Sequence, residues 1–164
     1  MSDNISDGWR LVAPGLEQWP GGEVLIAGGS PSVGLYGVQV AIALGAGRVV
    51  HCDVEDERLR RAEALGAEVA EGYPERLGPF PITAMVAADP AALALAARST
   101  APDGICTCAG IVFQPETPIP LLEMYTKITT FRDGLIVRFD YVESWEEALE
   151  LAGVGEGRPA SPGG

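Results

Sequence analysis

The sequence predicts an α/β protein built on a doubly wound parallel sheet of six strands, in the order 3-2-1-4-5-6. Short apolar segments alternate with longer amphipathic ones along most of the 164 residues, as strands and helices alternate in such sheets. The first apolar segment, Val24 to Ala27, runs directly into Gly28 and Gly29, which predicts a strand that ends in a tight turn. The strand segments are apolar at nearly every position, and this indicates a sheet covered by helices on both faces.

Each element is assigned from its length, its periodicity and its boundary residues. Strands are predicted at residues 23–27, 48–53, 68–70, 82–87, 104–110 and 127–131. Helices are predicted at residues 32–44, 55–65, 91–99, 120–125 and 143–152. Residues 5–19 are a mixed lead-in in which one short helix fits, and residues 71–81 form a loop rich in glycine and proline.

The charge balance limits the classes of partner. The formal net charge of −12 makes the surface repel phosphate backbones and anionic lipids, so we expect no nucleic-acid and no membrane partner. A single nucleotide remains compatible, because helix N-termini bind phosphate locally. Three cysteines without a framework spacing, and an N-terminus without signal-peptide features, predict a cytoplasmic protein in a reducing compartment.

The segment between the first strand and the first long helix predicts a phosphate-binding turn. Glycines there let the backbone turn sharply and approach a pyrophosphate, while the following helix presents free amides and a partial positive charge. The pattern is incomplete, since the Gly-x-Gly-x-x-Gly spacing falls on Gly29, Pro31 and Gly34. A plain strand-to-helix turn is therefore the alternative interpretation.

An acidic residue at the tip of the second strand supports a dinucleotide. Asp53 lies 19 residues after Gly34 (53 − 34), where a carboxylate accepts hydrogen bonds from the two hydroxyls of the adenosine ribose. The same charge repels a 2′-phosphate, so NAD is favoured over NADP. Asp53 also suits the start of a helix, and one residue serves both purposes.

With these residues in place, the chain resembles the cofactor domain of medium-chain dehydrogenases/reductases of the zinc alcohol dehydrogenase type. The similarity runs from about Trp19 to Gly155. It is carried by the turn 24–34 and by the segments that follow it, which are residues 35–39, 44–46, 49–50, 53, 58–59, 64–67, 104–110 and 120–125.

The resemblance implies a role for each matched position. The pyrophosphate would be held by Gly29, Ser32, Val33 and Gly34. Asp53 would hold the adenosine ribose, and Arg58 would flank that ribose or the adenine. The nicotinamide side would be lined by Ala87, Ala88 and Gly110. For Arg58 a solvated helix charge is the alternative.

Family members also carry a catalytic domain, and its zinc ligands and Gly-His-Glu segment have no counterpart here. We therefore expect a lead-in at residues 1–19, a dinucleotide-binding domain at 20–154 and a disordered tail at 155–164. The chain is expected to be truncated or inactive alone, with a catalytic domain in trans as one partner. The alternatives are a non-catalytic NAD-responsive module or a SAM-binding protein.

The family commonly dimerises through the sixth strand, so a homodimer through residues 127–131 is expected.

Other chemistry finds little support in the sequence. Cys106 and Cys108 fall on one face of a predicted strand and are interpreted as small core residues rather than metal ligands. His51, the only histidine, is interpreted as buried and hydrogen-bonded. No tyrosine is followed four residues later by lysine, which excludes the usual short-chain dehydrogenase pair. We accordingly predict neither catalytic residues nor a metal site in this chain.

Overall fold

The computed structural model describes residues 3–29, 32–111, 113, 116, 127–132 and 135–141. The strands are β1 (Glu23–Ala27), β2 (Arg48–Asp53), β3 (Glu68–Glu71), β4 (Phe80–Met85), β5 (Thr100–Cys108), β6 (Lys127–Arg132) and β7 (Leu135–Tyr141). The helices are α1 (Asp3–Gln18), α2 (Val33–Ala43), α3 (Asp56–Ala64) and α4 (Pro90–Ser99). The chain divides into two compact units, Met1–Pro120 and Leu121–Gly164.

The first unit is built on a sheet of five parallel strands in the order β3-β2-β1-β4-β5. This confirms the α/β class and the first five positions of the predicted order. Because every strand runs in the same direction, all five carboxyl ends meet at one edge of the sheet. The order changes direction beside β1, and ligands of open α/β sheets bind at such a point.

The prediction of a sixth parallel strand is wrong: among the described residues, the parallel sheet has five strands. Residues 127–131 do form a strand, but β6 pairs antiparallel with β7 in a separate two-stranded sheet. A parallel strand needs a long crossover, whereas antiparallel neighbours need only a short turn. The sequence carries the corresponding signal, Asp133-Gly134 between two apolar segments, which the interpretation of a lone sixth strand overlooked.

The lead-in is a full helix rather than a short one. Helix α1 has 16 residues and contains Pro14, whose missing amide and ring disfavour a helix interior. Burial of Leu11, Val12 and Leu16 outweighs that cost. Two glycines let α1 approach closely: a β-carbon on Gly8 would lie 2.6 Å from Tyr36 Cβ, and one on Gly15 would lie 2.8 Å from Ile82 Cγ1. Helix α1 is therefore part of the core.

The remaining boundaries differ from the prediction by a few residues. Strands β4 and β5 begin before their predicted starts, and α4 begins one residue early, with Asp89 Oδ1 accepting a hydrogen bond from the amide of Ala91 at 2.8 Å. The predicted helices 120–125 and 143–152 and the predicted disordered tail lie outside the described residues. Within the described part of the chain, no helix has the length and apolarity needed to cross a membrane.

Helices cover both faces of the five-stranded sheet, as the apolar strands predict. Alternate residues of β1 face opposite sides, so Val24 and Ile26 belong to one apolar cluster and Leu25 and Ala27 to the other. The first cluster includes side chains of α1, α2 and α3, and the second includes side chains of α4. Both faces of the sheet are thereby buried against helices.

Candidate functional site

The turn after β1 requires glycine for two physical reasons. Gly28 adopts φ +81°, in the left-handed region that disfavours other residues. Gly34 lies in the first turn of α2, and a β-carbon on it would lie 2.5 Å from the carbonyl oxygen of Gly28. Helix α2 therefore starts closer to the end of β1 than any side chain would permit. This is the geometry by which a helix N-terminus is brought up to a phosphate group.

The N-terminus of α2 presents backbone amides that the helix itself does not use. Ser32 occupies the N-cap position, but its side chain makes no capping hydrogen bond. The Ser32 hydroxyl instead accepts a hydrogen bond from Asn4 Nδ2 of α1 at 2.8 Å. The amides of Val33 and Gly34 belong to the first turn, where no earlier helical carbonyl exists to pair with them. These amides and the partial positive charge of the helix can bind an anion.

The acid predicted at the tip of β2 is present, and Arg58 of α3 covers it. Arg58 Nε donates to Asp53 Oδ2 and the terminal nitrogen NH2 donates to Asp53 Oδ1, both at 2.7 Å. Asp53 Oδ1 also accepts the amide of Glu55 at 3.0 Å. The remaining guanidinium nitrogen, NH1, lies 2.5 Å from Glu55 Oε2. Arg58 is thus held between two carboxylates, and the Asp53 side chain has no exposed surface.

These contacts set the ionisation of the pair. Burial opposes the charge on Asp53, but the hydrogen bonds from Arg58 and from the Glu55 amide outweigh it and lower the pKa of Asp53 below its ordinary value. The hydrogen bond to Asp53 correspondingly raises the pKa of Arg58. The strand tip therefore carries an ionised, fully paired carboxylate.

The pair lies directly against the glycine turn. A β-carbon on Gly29 would lie 3.3 Å from Arg58 Cδ and 3.4 Å from Asp53 Oδ2. The structure therefore brings together Gly29, Asp53 and Arg58, three of the positions predicted to bind the cofactor. A ribose that reaches Asp53 must displace Arg58 or bind beside it.

His51 is buried under the same turn, as predicted, but it is not hydrogen-bonded there. Its side chain has no exposed surface, and neither ring nitrogen has a hydrogen-bond partner among the described residues. The Nε2 atom lies 3.6 Å from Asp53 Oδ2, beyond hydrogen-bonding distance. A β-carbon on Gly34 would lie 3.2 Å from His51 Cε1. Burial lowers the pKa of His51, so the imidazole is neutral at pH 7.

A cavity of about 310 Å³ lies on the other side of the turn, at the carboxyl ends of β4 and β5. Its lining includes Val33, Ala88 and Gly110, which the sequence assigned to the pyrophosphate and nicotinamide parts of the site. Ala87, the remaining predicted position, lies against the turn, since a β-carbon on Gly28 would collide with the Ala87 side chain. The predicted residues therefore follow the carboxyl edge continuously from Asp53 to Gly110.

The sequence interpretation missed several residues of this edge, three of which are polar. Asn4 and Asp7 of α1 also line the 310 Å³ cavity, and no spacing pattern pointed to them because the segment was treated as a lead-in. Tyr73 follows β3, and a β-carbon on Gly28 would lie 2.9 Å from its hydroxyl oxygen. Burial raises the pKa of Tyr73 to about 12, so the hydroxyl stays protonated. Its place in a loop at the carboxyl end of a strand was the available signal.

The two cysteines of β5 are not core residues, which corrects the prediction. Cys106 and Cys108 are both exposed, whereas Cys52 of β2 is buried. Strand β5 lies at an edge of the five-stranded sheet, and most of its residues are half-buried or exposed. Among the described residues, no three or more His, Cys, Asp and Glu side chains are grouped so that they could hold a metal ion. That part of the chain offers no zinc centre of the usual kind.

Comparison with protein families gives one match to this chain. The model of the zinc-binding dehydrogenase family matches residues 32–153, which is about three quarters of the sequence. No curated protein is similar enough in sequence to count as a relative.

Solved structures of dehydrogenases share the fold. An alcohol dehydrogenase from a Thermus species is 28% identical over 72% of this chain, with a TM-score of 0.59. L-idonate 5-dehydrogenase from Escherichia coli is 20% identical over 73% of this chain, with a TM-score of 0.62. A zinc-binding dehydrogenase from Sinorhizobium meliloti, solved with NADP, is 20% identical over 74%, with a TM-score of 0.59. The matched regions cover 36%, 36% and 39% of those proteins, so the chain spans little more than a third of their length.

Proposed function

Since this chain belongs to the zinc-binding dehydrogenase family, we propose that it binds a nicotinamide dinucleotide, NAD(H), along the carboxyl edge of its sheet. The observation that carries the proposal is the close approach of α2 to the end of β1, which requires glycine at Gly34 and leaves first-turn amides free for a pyrophosphate. A plain strand-to-helix turn does not need that approach.

The adenosine end of the cofactor is proposed to lie at Asp53 and Arg58. Asp53 accepts the ribose hydroxyls once Arg58 moves off its carboxylate, and the released guanidinium then stacks on or flanks the adenosine. The strand tip holds two carboxylates, Asp53 and Glu55, against one guanidinium. A 2′-phosphate would meet a net negative charge, so NAD(H) is preferred over NADP(H).

The nicotinamide is proposed to enter the 310 Å³ cavity beside Val33, Ala88 and Gly110. The volume falls at the lower end of ligand pockets, roughly 300–1,000 Å³, and suits one aromatic ring. When bound, the cofactor supplies hydride transfer, and this chain's residues bind and orient it. We propose no catalytic residue in this chain: among the described residues no ligand set for zinc is grouped, and no tyrosine of the sequence is followed four residues later by lysine. As one partner we propose a catalytic domain in trans.

Calorimetric titration of the purified chain with NADH, and separately with NADPH, tests the proposal. We expect saturable NADH binding at micromolar affinity and at least tenfold weaker binding of NADPH. Asp53→Asn keeps the side-chain shape but removes the charge, and we expect it to weaken NADH binding about tenfold, as loss of a charge-assisted hydrogen bond does. Glu63→Gln is the matched control, because it removes one negative charge from an exposed side chain of α3.

Thermal melting of each variant distinguishes a loss of binding from a loss of folding. Failure of the wild-type chain to bind either dinucleotide, from a sample with a cooperative melt, would overturn the proposal. Equal weakening by Asp53→Asn and Glu63→Gln would refute the assigned ribose position. If NADH binds but no catalytic partner domain gives turnover in trans, the chain is a non-catalytic NAD-responsive module.

A homodimer is proposed as the assembly. In the structure one edge of β6 pairs with β7. Among the described strands the other edge of β6 has no partner. We propose that a second copy pairs there rather than with a sixth strand of the main sheet. The cytoplasmic location also remains a prediction, and the absence of a disulfide among the three described cysteines is compatible with a reducing compartment.

A further inference from the structure

A carboxylate lies among the mostly apolar groups that line the 310 Å³ cavity. The described lining residues are Asn4 and Asp7 of α1, Val33 of α2, and the apolar residues and glycine that follow β4 and β5. Among these described residues, only Asp7 is titratable. Its negative charge therefore acts on whatever occupies the cavity.

The packing of α1 on α2 fixes the position of Asp7. One turn before it, Asn4 Nδ2 donates a hydrogen bond to the Ser32 hydroxyl at 2.8 Å, which joins the first turn of α1 to the N-cap of α2. One residue after it, Gly8 lies so close to α2 that a β-carbon would be 2.6 Å from Tyr36 Cβ. Asp7 lies between these two contacts, so its carboxylate is held at the cavity wall.

Arg10 contacts Asp7 from outside the cavity. Arg10 NH1 lies 3.4 Å from Asp7 Oδ1, and the two side chains are 77% and 45% exposed, respectively. An ion pair this exposed contributes little, because water weakens the attraction between its charges. Arg10 is not among the described residues that line the cavity. A ligand in the cavity therefore meets the carboxylate and not the guanidinium.

The two forms of the nicotinamide ring differ in charge. The ring of NAD⁺ is positively charged and the ring of NADH is neutral, whereas the rest of the two dinucleotides is identical. A cavity of about 310 Å³ suits one aromatic ring, so a ring inside it lies beside Asp7. An opposite charge within about 4–6 Å favours the charged form of a group. The apolar residues around the ring lower the local polarity and strengthen that attraction.

We propose that Asp7 makes the nicotinamide cavity selective for the oxidised cofactor, NAD⁺, over NADH. The inference rests on the proposed function, because it requires the nicotinamide ring to occupy this cavity. The charge of Asp7 attracts the ring of NAD⁺ alone, whereas its repulsion of the pyrophosphate affects both forms equally. The ratio of the dissociation constant of NAD⁺ to that of NADH therefore isolates the effect of Asp7 on the ring.

Calorimetric titration of the full chain with NAD⁺, NADH and ADP-ribose tests the role of Asp7. Asp7→Asn preserves the side-chain shape and removes the charge. We expect it to raise the ratio of the NAD⁺ to the NADH dissociation constant about fivefold, the effect of losing one partly exposed charge interaction. ADP-ribose lacks the nicotinamide ring, so Asp7→Asn should change its affinity no more than that of NADH.

Glu17→Gln is the matched control, because it removes one negative charge from an exposed side chain of the same helix that is not among the described lining residues. We expect it to leave the ratio unchanged. Arg10→Gln should move the ratio in the opposite direction to Asp7→Asn, lowering it about twofold, because it removes the cation that competes for Asp7. Opposite shifts from two residues of one helical turn would not follow from a merely structural disturbance of α1.

Thermal melting of each variant confirms that the titrated samples are folded. Failure of the folded wild-type chain to bind any of the three ligands would overturn the proposed function and this inference with it. Binding of both dinucleotides with a ratio that Asp7→Asn leaves unchanged, or that Glu17→Gln changes as much, would overturn this inference alone. So would equal changes in the affinities for ADP-ribose and NAD⁺ in Asp7→Asn, because the charge would then act on the part that the two ligands share.

Discussion

At the scale of single residues, the candidate site depends on how Arg58 is held. All three guanidinium nitrogens are engaged, two by Asp53 and one by Glu55. An arginine near a strand tip is otherwise well suited to a 2′-phosphate, because its planar fork matches phosphate oxygens. Here the two carboxylates compete for it. We therefore propose that Glu55 acts on cofactor preference through Arg58 and not only through its own charge.

Removing the ion pair between Glu55 and Arg58 should shift the preference between NADH and NADPH. We expect Glu55→Gln to raise the affinity for NADPH relative to NADH about fivefold, since a partly exposed ion pair contributes about 1 kcal/mol. Calorimetric titration with both cofactors measures the ratio. Glu57→Gln is the control, because Glu57 pairs with Arg60 and Arg61 instead. An unchanged ratio in Glu55→Gln would show that Glu55 has no part in the preference.

His51 predicts how stability depends on pH. Its folded-state pKa is lowered by burial, so the unfolded chain binds the proton more readily. The free energy of unfolding should hold above the ordinary histidine pKa, about 6.5, and fall as the pH drops below it. Asp53, whose pKa is also lowered, adds a further loss only below about pH 4.

Thermal melts between pH 8 and about pH 3 test this assignment. His51 is the only histidine, so His51→Leu should flatten the profile between pH 6.5 and 5 while leaving the decline at lower pH. If the variant retains the wild-type slope in that window, a group other than His51 titrates there.

At the scale of elements, α1 carries more of the fold than its sequence suggests. Proline and two glycines would weaken an isolated helix, yet one face of α1 is buried against α2 and β4. Its N-terminal residues Asn4 and Asp7 also line the cavity proposed for the nicotinamide. The helix therefore joins the packing of the sheet to the shape of the site.

Truncation of a buried side chain in α1 should destabilise the whole first unit. We expect Leu11→Ala to lower the free energy of unfolding by about 2–5 kcal/mol, the range for large-to-small changes in a core. Ile5→Ala, on the exposed side of the same helix, should change it by less than about 0.5 kcal/mol. Denaturant unfolding followed by circular dichroism measures both. Equal small effects would mean that α1 is a detachable lead-in.

At the scale of the whole molecule, charge opposes the proposed homodimer. Each copy carries a formal net charge of −12, so two copies repel each other at low ionic strength. Salt screens that repulsion over about 10 Å at 0.1 M. Association through a strand edge depends on backbone hydrogen bonds and is not weakened in the same way.

Light scattering across micromolar concentrations tests the assembly. We expect a mass of twice the 17.1 kDa chain, with a dimer fraction that increases between 20 and 300 mM salt. A single-chain mass throughout the range would contradict the dimer. A dimer that salt dissociates would point to an ion-paired interface rather than a strand edge.

The sequence by itself determined the parallel sheet, its order over five strands and the turn that starts α2. These follow from local signals: the length of apolar runs, the glycines between β1 and α2, and the acid at the end of β2. The positions that it assigned to a cofactor lie along one edge of the structure, although their binding role is still a prediction.

Tertiary structure alone decided which groups pair across elements. Four features depend on which residues a neighbouring element brings near. They are the Asp53–Arg58 contact, the lack of a partner for the His51 nitrogens among the described residues, the burial of α1, and the exposure of Cys106 and Cys108. Strand periodicity gives the two cysteines one face, but it does not say whether a helix covers that face. The periodicity of apolar residues describes a single segment, whereas burial and side-chain pairing depend on two elements packed against each other.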